Sequence, residues 1–175
     1  KKHLSPNGLA YVSYNTLPGW KMRGALRDMM LMHTGNFEDT ADKVTQAKAL
    51  IEFLASASNQ ESPYGKFLKS ELDILQNCDD AYIMHEFLEA DNDAFYFMDF
   101  HRQASESGLF YLGDAEPSTM MMADIPDEAQ NAFAQLKGNL AATEQYLDFL
   151  RNRTFRCSLL CHPGLPIQRD IKSDR

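Results

Sequence analysis

The sequence predicts a mainly α-helical protein with a few short β-strands. Two observations carry that expectation. From Trp20 onward, apolar residues recur at helical spacing through most of the chain. Apolar runs with a different rhythm occur only in short stretches, near residues 9–14, 109–113 and 155–161. The 175 residues, 44% of them hydrophobic, suffice for one domain or for one domain with an appendage.

The first strand follows Ser5-Pro6-Asn7-Gly8, a turn signal in which Pro fixes φ and Asn-Gly tolerates positive φ. Val12 and Tyr14 fall on one face of it, and Pro18-Gly19 ends it. A first helix starts at Trp20, the only tryptophan, with Met22, Ala25, Leu26, Met29, Met30 and His33 as its apolar set. Asp39 or Thr40 caps a second helix, whose stripe is Val44, Ala47, Ile51 and Leu54. Ser62-Pro63 opens a third, with Tyr64, Phe67, Leu68, Leu72 and Leu75 inward. Asp79-Asp80 starts a short fourth one running through His85 to Glu89, and Asp93 caps a fifth carrying Tyr96, Phe97, Phe100 and Ala104. Gly108 stops that helix. The aromatic run Leu109-Phe110-Tyr111-Leu112 reads as strand.

Residues 116–124 hold three consecutive methionines and no clear period. Pro126 opens a helix with Ala129, Phe133 and Leu136 inward. Past Gly138-Asn139, a last helix turns Thr143, Tyr146 or Leu147, and Leu150 inward. Phe155, Cys157, Leu159 and Cys161 alternate with Arg156 and Ser158, which is strand periodicity. The tail, 163–175, is polar. Roughly seven helices and three strands result, with mixed or parallel pairing through helical crossovers expected.

Charge and composition narrow the function classes. A net charge of −8 argues against a nucleic-acid surface, because phosphate contacts need a basic patch. No stretch approaches the roughly 18–20 apolar residues of a membrane span, and no signal peptide opens the chain. Cys78, Cys157 and Cys161 are too few and too odd in number for a disulfide framework, so reduced thiols in the cytoplasm are expected. His85-Glu86 with Glu89 lacks the second histidine of a zinc helix, and Cys157, Cys161 and His162 fit no zinc spacing, so no metal site is expected. The start reads as mid-domain text, as expected of part of a longer protein.

His3 to Ser13 resembles the proline- and glycine-containing segment that leads into the fifth strand of class I S-adenosylmethionine-dependent methyltransferases. The blocks SYNTLPGWKMRGALRDMM, HEFLEADNDAFYFMDF, SGLFYLGDAEPSTM and EQYLDFLRNRTFRCSLLCH are similar, in family order, to bacterial methyltransferases with a methyltransferase regulatory domain. The resemblance covers roughly residues 3–162. It implies a helical region attached to or inserted in the C-terminal half of a class I α/β sheet. The parts would be a strand and turn at 1–20, a helical regulatory or insertion region at 21–106, a strand-helix-helix-strand part at 107–162 and a tail at 163–175.

The resemblance further implies N-methyl transfer by the whole enzyme, with protein lysine the favoured acceptor class. No glycine-rich strand-turn-helix loop is present, so S-adenosylmethionine would belong to the full-length enzyme and none to this chain, which holds no catalytic residue. Implied partners are the chain's own N-terminal cofactor-binding domain, a protein substrate and a second copy; nucleic acid and membrane are not among them. In an open α/β sheet ligands lie beyond the strands' carboxyl ends, which makes Tyr14, Asn15, Thr16 and Trp20 the first residues adjacent to substrate or cofactor, then His85 and Tyr111. The alternatives are core anchoring for Tyr14 and Trp20, and, for the whole chain, a helical interaction or dimerisation module.

Overall fold

A computed structural model describes residues 3–136 and 138–167. The chain runs through β1 (Ala10–Thr16), α1 (Trp20–Thr34), α2 (Thr40–Ala57), α3 (Pro63–Gln76) and α4 (Asp80–Ile83), the last continuing into a π-helical turn, Met84–Leu88. It continues through β2 (Ala94–Phe95), α5 (Phe97–Glu106), β3 (Phe110–Asp114), a 3-10 turn (Pro117–Met120), α6 (Asp127–Ala134), α7 (Leu140–Arg151) and β4 (Phe155–Cys161). The expected polar tail lies outside the described residues from position 168 on. Two compact units result: Lys21–Asp93, and the chain up to Trp20 together with the chain from Ala94 onward.

The Lys21–Asp93 unit is helical. Its helices begin where the side chains can satisfy free N–H groups: Asp39 accepts from Ala41 and Asp42, Ser62 from Gly65, and Asp79 from Tyr82. Leu26 and Met30 of α1, Val44, Ala47, Ile51 and Ala55 of α2, and Leu68 and Leu75 of α3 close one core with Ile83, Phe87 and Leu88. The inward stripe of α1 is narrower than its apolar pattern: Met22, Ala25 and His33 are exposed, and Thr34 is buried, its hydroxyl donating to the Met30 carbonyl. Tyr64 of α3 is likewise exposed. Glu71 takes a buried place there, bonded at 2.9 Å to Arg23.

The other unit is built on a four-stranded sheet in the order β2-β1-β4-β3. β4 runs antiparallel to both β1 and β3, so β1 and β3 are parallel, and β2 adds a short parallel pairing at Asn15 and Thr16. Residues 9–14, 109–113 and 155–161 of the sequence reading thus supply strands of one mixed sheet. The strand at Ala94–Phe95 is an addition: the fifth helix was expected to be capped by Asp93, but begins only after Tyr96. A two-residue strand has too little pattern to read, and its partner lies 79 residues away, where Thr16 Oγ1 donates to the Phe95 carbonyl at 2.9 Å.

One face of the sheet packs under α5 and α7. Phe97, Ala104, Tyr111 and Leu160 form its core, joined by Val12, Phe100, Leu140 and Ala141. The face that β4 turns inward is the reverse of the one its apolar residues suggest. Arg156, Ser158 and Leu160 are buried, Phe155 is 44% exposed, and Cys157 and Leu159 are half-buried; of the expected apolar set only Cys161, at the strand's end, is buried. α7 turns Glu144, Gln145, Leu147 and Asp148 inward: of the two alternatives Tyr146 and Leu147 it is Leu147 that is buried, while Tyr146 and the expected Leu150 are more than half exposed.

Candidate functional site

The inverted faces have one cause, the guanidinium of Arg156. The residue is fully buried, and its ring-like planar head lies 4.2 Å over the Phe97 ring. Its Nε donates to both Asp148 carboxylate oxygens (3.1 and 2.9 Å) and its Nη2 to Glu144 Oε2 at 2.9 Å and Asp148 Oδ1 at 2.8 Å. Asp114, at the end of β3, takes Arg156 Nη1 at 3.5 Å and Arg153 Nη2 at 2.9 Å on Oδ2. Its Oδ1 accepts the Glu116 N–H. Two cations and three carboxylates therefore share one buried cluster at the carboxyl end of β3.

Helical spacing explains how α7 supplies two members: Glu144 and Asp148 are four residues apart and lie on one face. Burial pushes both carboxyls up, with Arg156 pulling the other way. Burial alone would lower the Arg156 guanidinium, but the hydrogen bonds and charges of Asp148 and Glu144 outweigh it and raise it. Fixed opposite charges at these distances hold α7, β3 and β4 in one register. The residue types of the cluster are visible in the sequence, an Arg inside a strand pattern and two acids four residues apart on a helix, but nothing along the chain pairs them.

A cleft of about 270 Å³ opens beside this cluster, lined by Tyr11, Asp114, Glu116, Arg153, Phe155 and Cys157 among others. The Tyr11 hydroxyl donates to Cys157 Sγ at 2.7 Å, a bond that raises the phenol. Among the described residues no three His, Cys, Asp or Glu side chains gather as a metal site, and no helix is long and apolar enough to cross a membrane.

The residues singled out from the sequence separate into two groups. Tyr14, Asn15, Thr16, Trp20 and Tyr111 belong to the sheet unit and are all buried. Tyr14 stacks on Phe100 (4.2 Å between centroids), and its hydroxyl pairs with Ser158 Oγ at 3.2 Å, an anchoring geometry; burial raises its phenol. Tyr111 meets Phe97 edge to face at 4.8 Å and is raised by burial as well. Asn15 and Thr16 hold the carboxyl end of β1, where β2 pairs. Gly19 follows them, its N–H donating to the Arg153 carbonyl at 3.0 Å. His85 lies in the other unit, exposed on the π-helical turn rather than packed among the helices.

The sheet with its helical cover and the separate helical unit make up a helix-rich α/β chain, and comparison with known proteins finds a family model that matches part of it. Residues 79–162 match the family described as "Predicted methyltransferase regulatory domain", as the sequence blocks implied. The chain is 43% identical, over 99% of its length, to an uncharacterized protein of Rickettsia prowazekii (strain Madrid E). It is 26% identical over 89% of its length to an uncharacterized protein of Synechocystis. Its fold matches the structure of PKMT2 from Rickettsia typhi with a TM-score of 0.83 and 41% identity over 98% of the chain. A complex of the same protein with AdoHcy matches at 0.82 and 40%. The chain spans about a third of these proteins: 31% of the R. prowazekii protein and 32% of PKMT2.

Proposed function

We propose that this chain is the regulatory or substrate-recognition region of an S-adenosylmethionine-dependent methyltransferase that modifies protein lysine. The observation that carries the reading is likeness over nearly the whole chain to PKMT2, a protein also solved with AdoHcy, the product of methyl donation. The topology agrees with it. With β1, β3 and β4 taken as the fifth, sixth and seventh strands of a class I sheet, β4 inserts antiparallel between the other two. β1 has a partner on its other side only at Asn15 and Thr16 among the described residues, so Ala10–Ser13 offers an edge for further parallel strands. The donor would be held by those strands and their glycine-rich turn.

Within that enzyme, the role of this chain is positional. Asn15 and Thr16 fix the carboxyl end of β1, Trp20 opens the following helix as a buried anchor, and Tyr14 and Tyr111 hold the layer beneath. His85 is the exposed member, placed to meet substrate or a second copy. Partners are then the cofactor-binding part of the same polypeptide, a protein substrate and a homodimer mate, in the cytoplasm. The enzyme's task on a lysine amine is chiefly orientation and desolvation.

The test compares the full-length protein with the 175-residue chain. Calorimetry should register donor binding by the former and none by the latter. Labelled methyl groups should reach a lysine-bearing protein and fail to reach the same protein with its lysines blocked. Tight donor binding by the 175-residue chain, or absence of transfer by the full-length protein, would defeat the reading. A second reading, a helical interaction module, has support in the exposed Met32 and Phe53 of the helical unit (80% and 63%). Unchanged turnover on replacing Trp20 by Leu in the full-length enzyme would favour it.

A further inference from the structure

α6 and α7 enclose a groove of about 550 Å³ that takes no part in anything described so far. α6 and the residues after it contribute Ala132, Phe133 and Leu136, and α7 contributes Tyr146, Phe149 and Leu150. The rings cross nearly at right angles. Phe133 and Tyr146 meet at 6.4 Å and 83°, and Tyr146 and Phe149 at 5.7 Å and 78°. Phe149 also meets Tyr96, at 6.1 Å and 84°. Crossed rings expose π-faces in more than one direction around an opening. Among those six side chains the Tyr146 hydroxyl is the sole polar atom.

That composition selects among cations. A primary ammonium carries three N–H donors, and burying them against carbon leaves them unmatched. A methylated ammonium keeps the charge, sheds donors and replaces them with methyl groups that pack on ring faces. The electronegative faces of Phe and Tyr supply the attraction. Charge favours the same sign of ligand: Asp127 and Glu128 occupy the first turn of α6, and the chain carries a net charge of −8.

We propose that the α6–α7 groove binds a methylated lysine side chain of a protein, with Phe133, Tyr146 and Phe149 against the ammonium methyls. The proposal rests on the N-methyl-transfer reading for the source of such a group. A product side chain held there tethers its polypeptide, so neighbouring lysines are presented at raised effective concentration.

The test uses the full chain and three synthetic peptides. They differ at one side chain: trimethyllysine, unmodified lysine, or the neutral isostere with a tert-butyl carbon in place of the trimethylammonium nitrogen. Calorimetric titration should rank trimethyllysine about tenfold tighter than lysine and severalfold tighter than the isostere, the range of a partly desolvated cation–π contact. Phe149→Leu should abolish the preference over the isostere, while Tyr146→Phe preserves it; both rings are about half exposed, so the fold tolerates the changes. Equal binding of the isostere would mean an apolar pocket only, equal binding of lysine would mean general charge attraction, and no saturable binding would mean no site. Each overturns the proposal, as does an unaltered preference in Phe149→Leu. The peptides arrive already methylated, so this result stands apart from the transfer assay. Retained trimethyl preference with failed transfer defeats only the enzymatic reading, and the reverse defeats only the groove.

Discussion

Arg156 is the residue on which the sheet unit turns. Removing the cation while leaving Asp148 and Glu144 buried strands two carboxylates, so Arg156→Met should cost about 3–5 kcal/mol in urea unfolding at pH 7. The two carboxyls have folded values already raised by burial, and loss of Arg156 raises them further. A raised folded value means stability present below the unfolded value and lost as pH rises through the folded one. The penalty of Arg156→Met should therefore be greatest near neutral pH and shrink as pH falls toward the ordinary carboxylate range. Unfolding curves at several pH values read this directly; a penalty that grows on acidification contradicts it. Glu144→Gln keeps an acceptor for Arg156 and removes one of the three negative charges facing two positive ones, and should change stability by less than about 1 kcal/mol.

Gly19 gives a second prediction at this scale. A Cβ there would run into the backbone carbonyls of Asn152 and Arg153, which cannot move as a side-chain tip can. Gly19→Ala should lower stability by about 1–3 kcal/mol, the usual cost of overpacking. Thermal denaturation that leaves the midpoint unchanged would show that the turn relaxes freely.

At the scale of the element, the helix starts were written locally. Asp39, Ser62 and Asp79 are each three or fewer residues from the N–H groups they accept from, so their roles follow from sequence neighbours alone. Asp39→Ala should destabilise the helical unit by about 1 kcal/mol, seen as a lower urea midpoint with an unchanged slope. The inward faces of α7 and β4 were not written locally. Hydrophobic periodicity left Tyr146 and Leu147 as alternatives, put Leu150 inside and set Phe155 and Cys157 on the apolar face of β4, because apolar residues are taken as core. An Arg on one strand and two acids on one helix neutralise each other only once those elements meet, and then the polar faces are the ones that can be buried. The signal for this was present in the four-residue spacing of Glu144 and Asp148 and in an Arg near the start of a strand pattern. Nothing local specified that they were partners.

For the whole molecule, the edge of β1 makes the clearest prediction. Among the described residues no strand faces alternate amides of Ala10–Ser13, and in the 175-residue chain these should exchange rapidly in hydrogen–deuterium exchange. In the full-length protein the same amides should be slowed by at least about tenfold if further strands dock there. Equal exchange in both would remove the edge as the joint to a larger sheet.

The sequence by itself determined where α2, α3 and α4 begin, which three segments are strands, and the family that residues 79–162 match. Those properties reside in caps, turns, short-range periodicity and contiguous motifs, all legible along the chain. Only the tertiary structure decided the two-residue strand β2, the face that α7 and β4 bury, the anchoring of Tyr14 and the exposure of His85. β2 and Tyr14 depend on partners dozens of residues away, and the faces of α7 and β4 on a charge pairing between two elements that only the fold brings together; the free energy of burying a charge is set by that partner rather than by the residue.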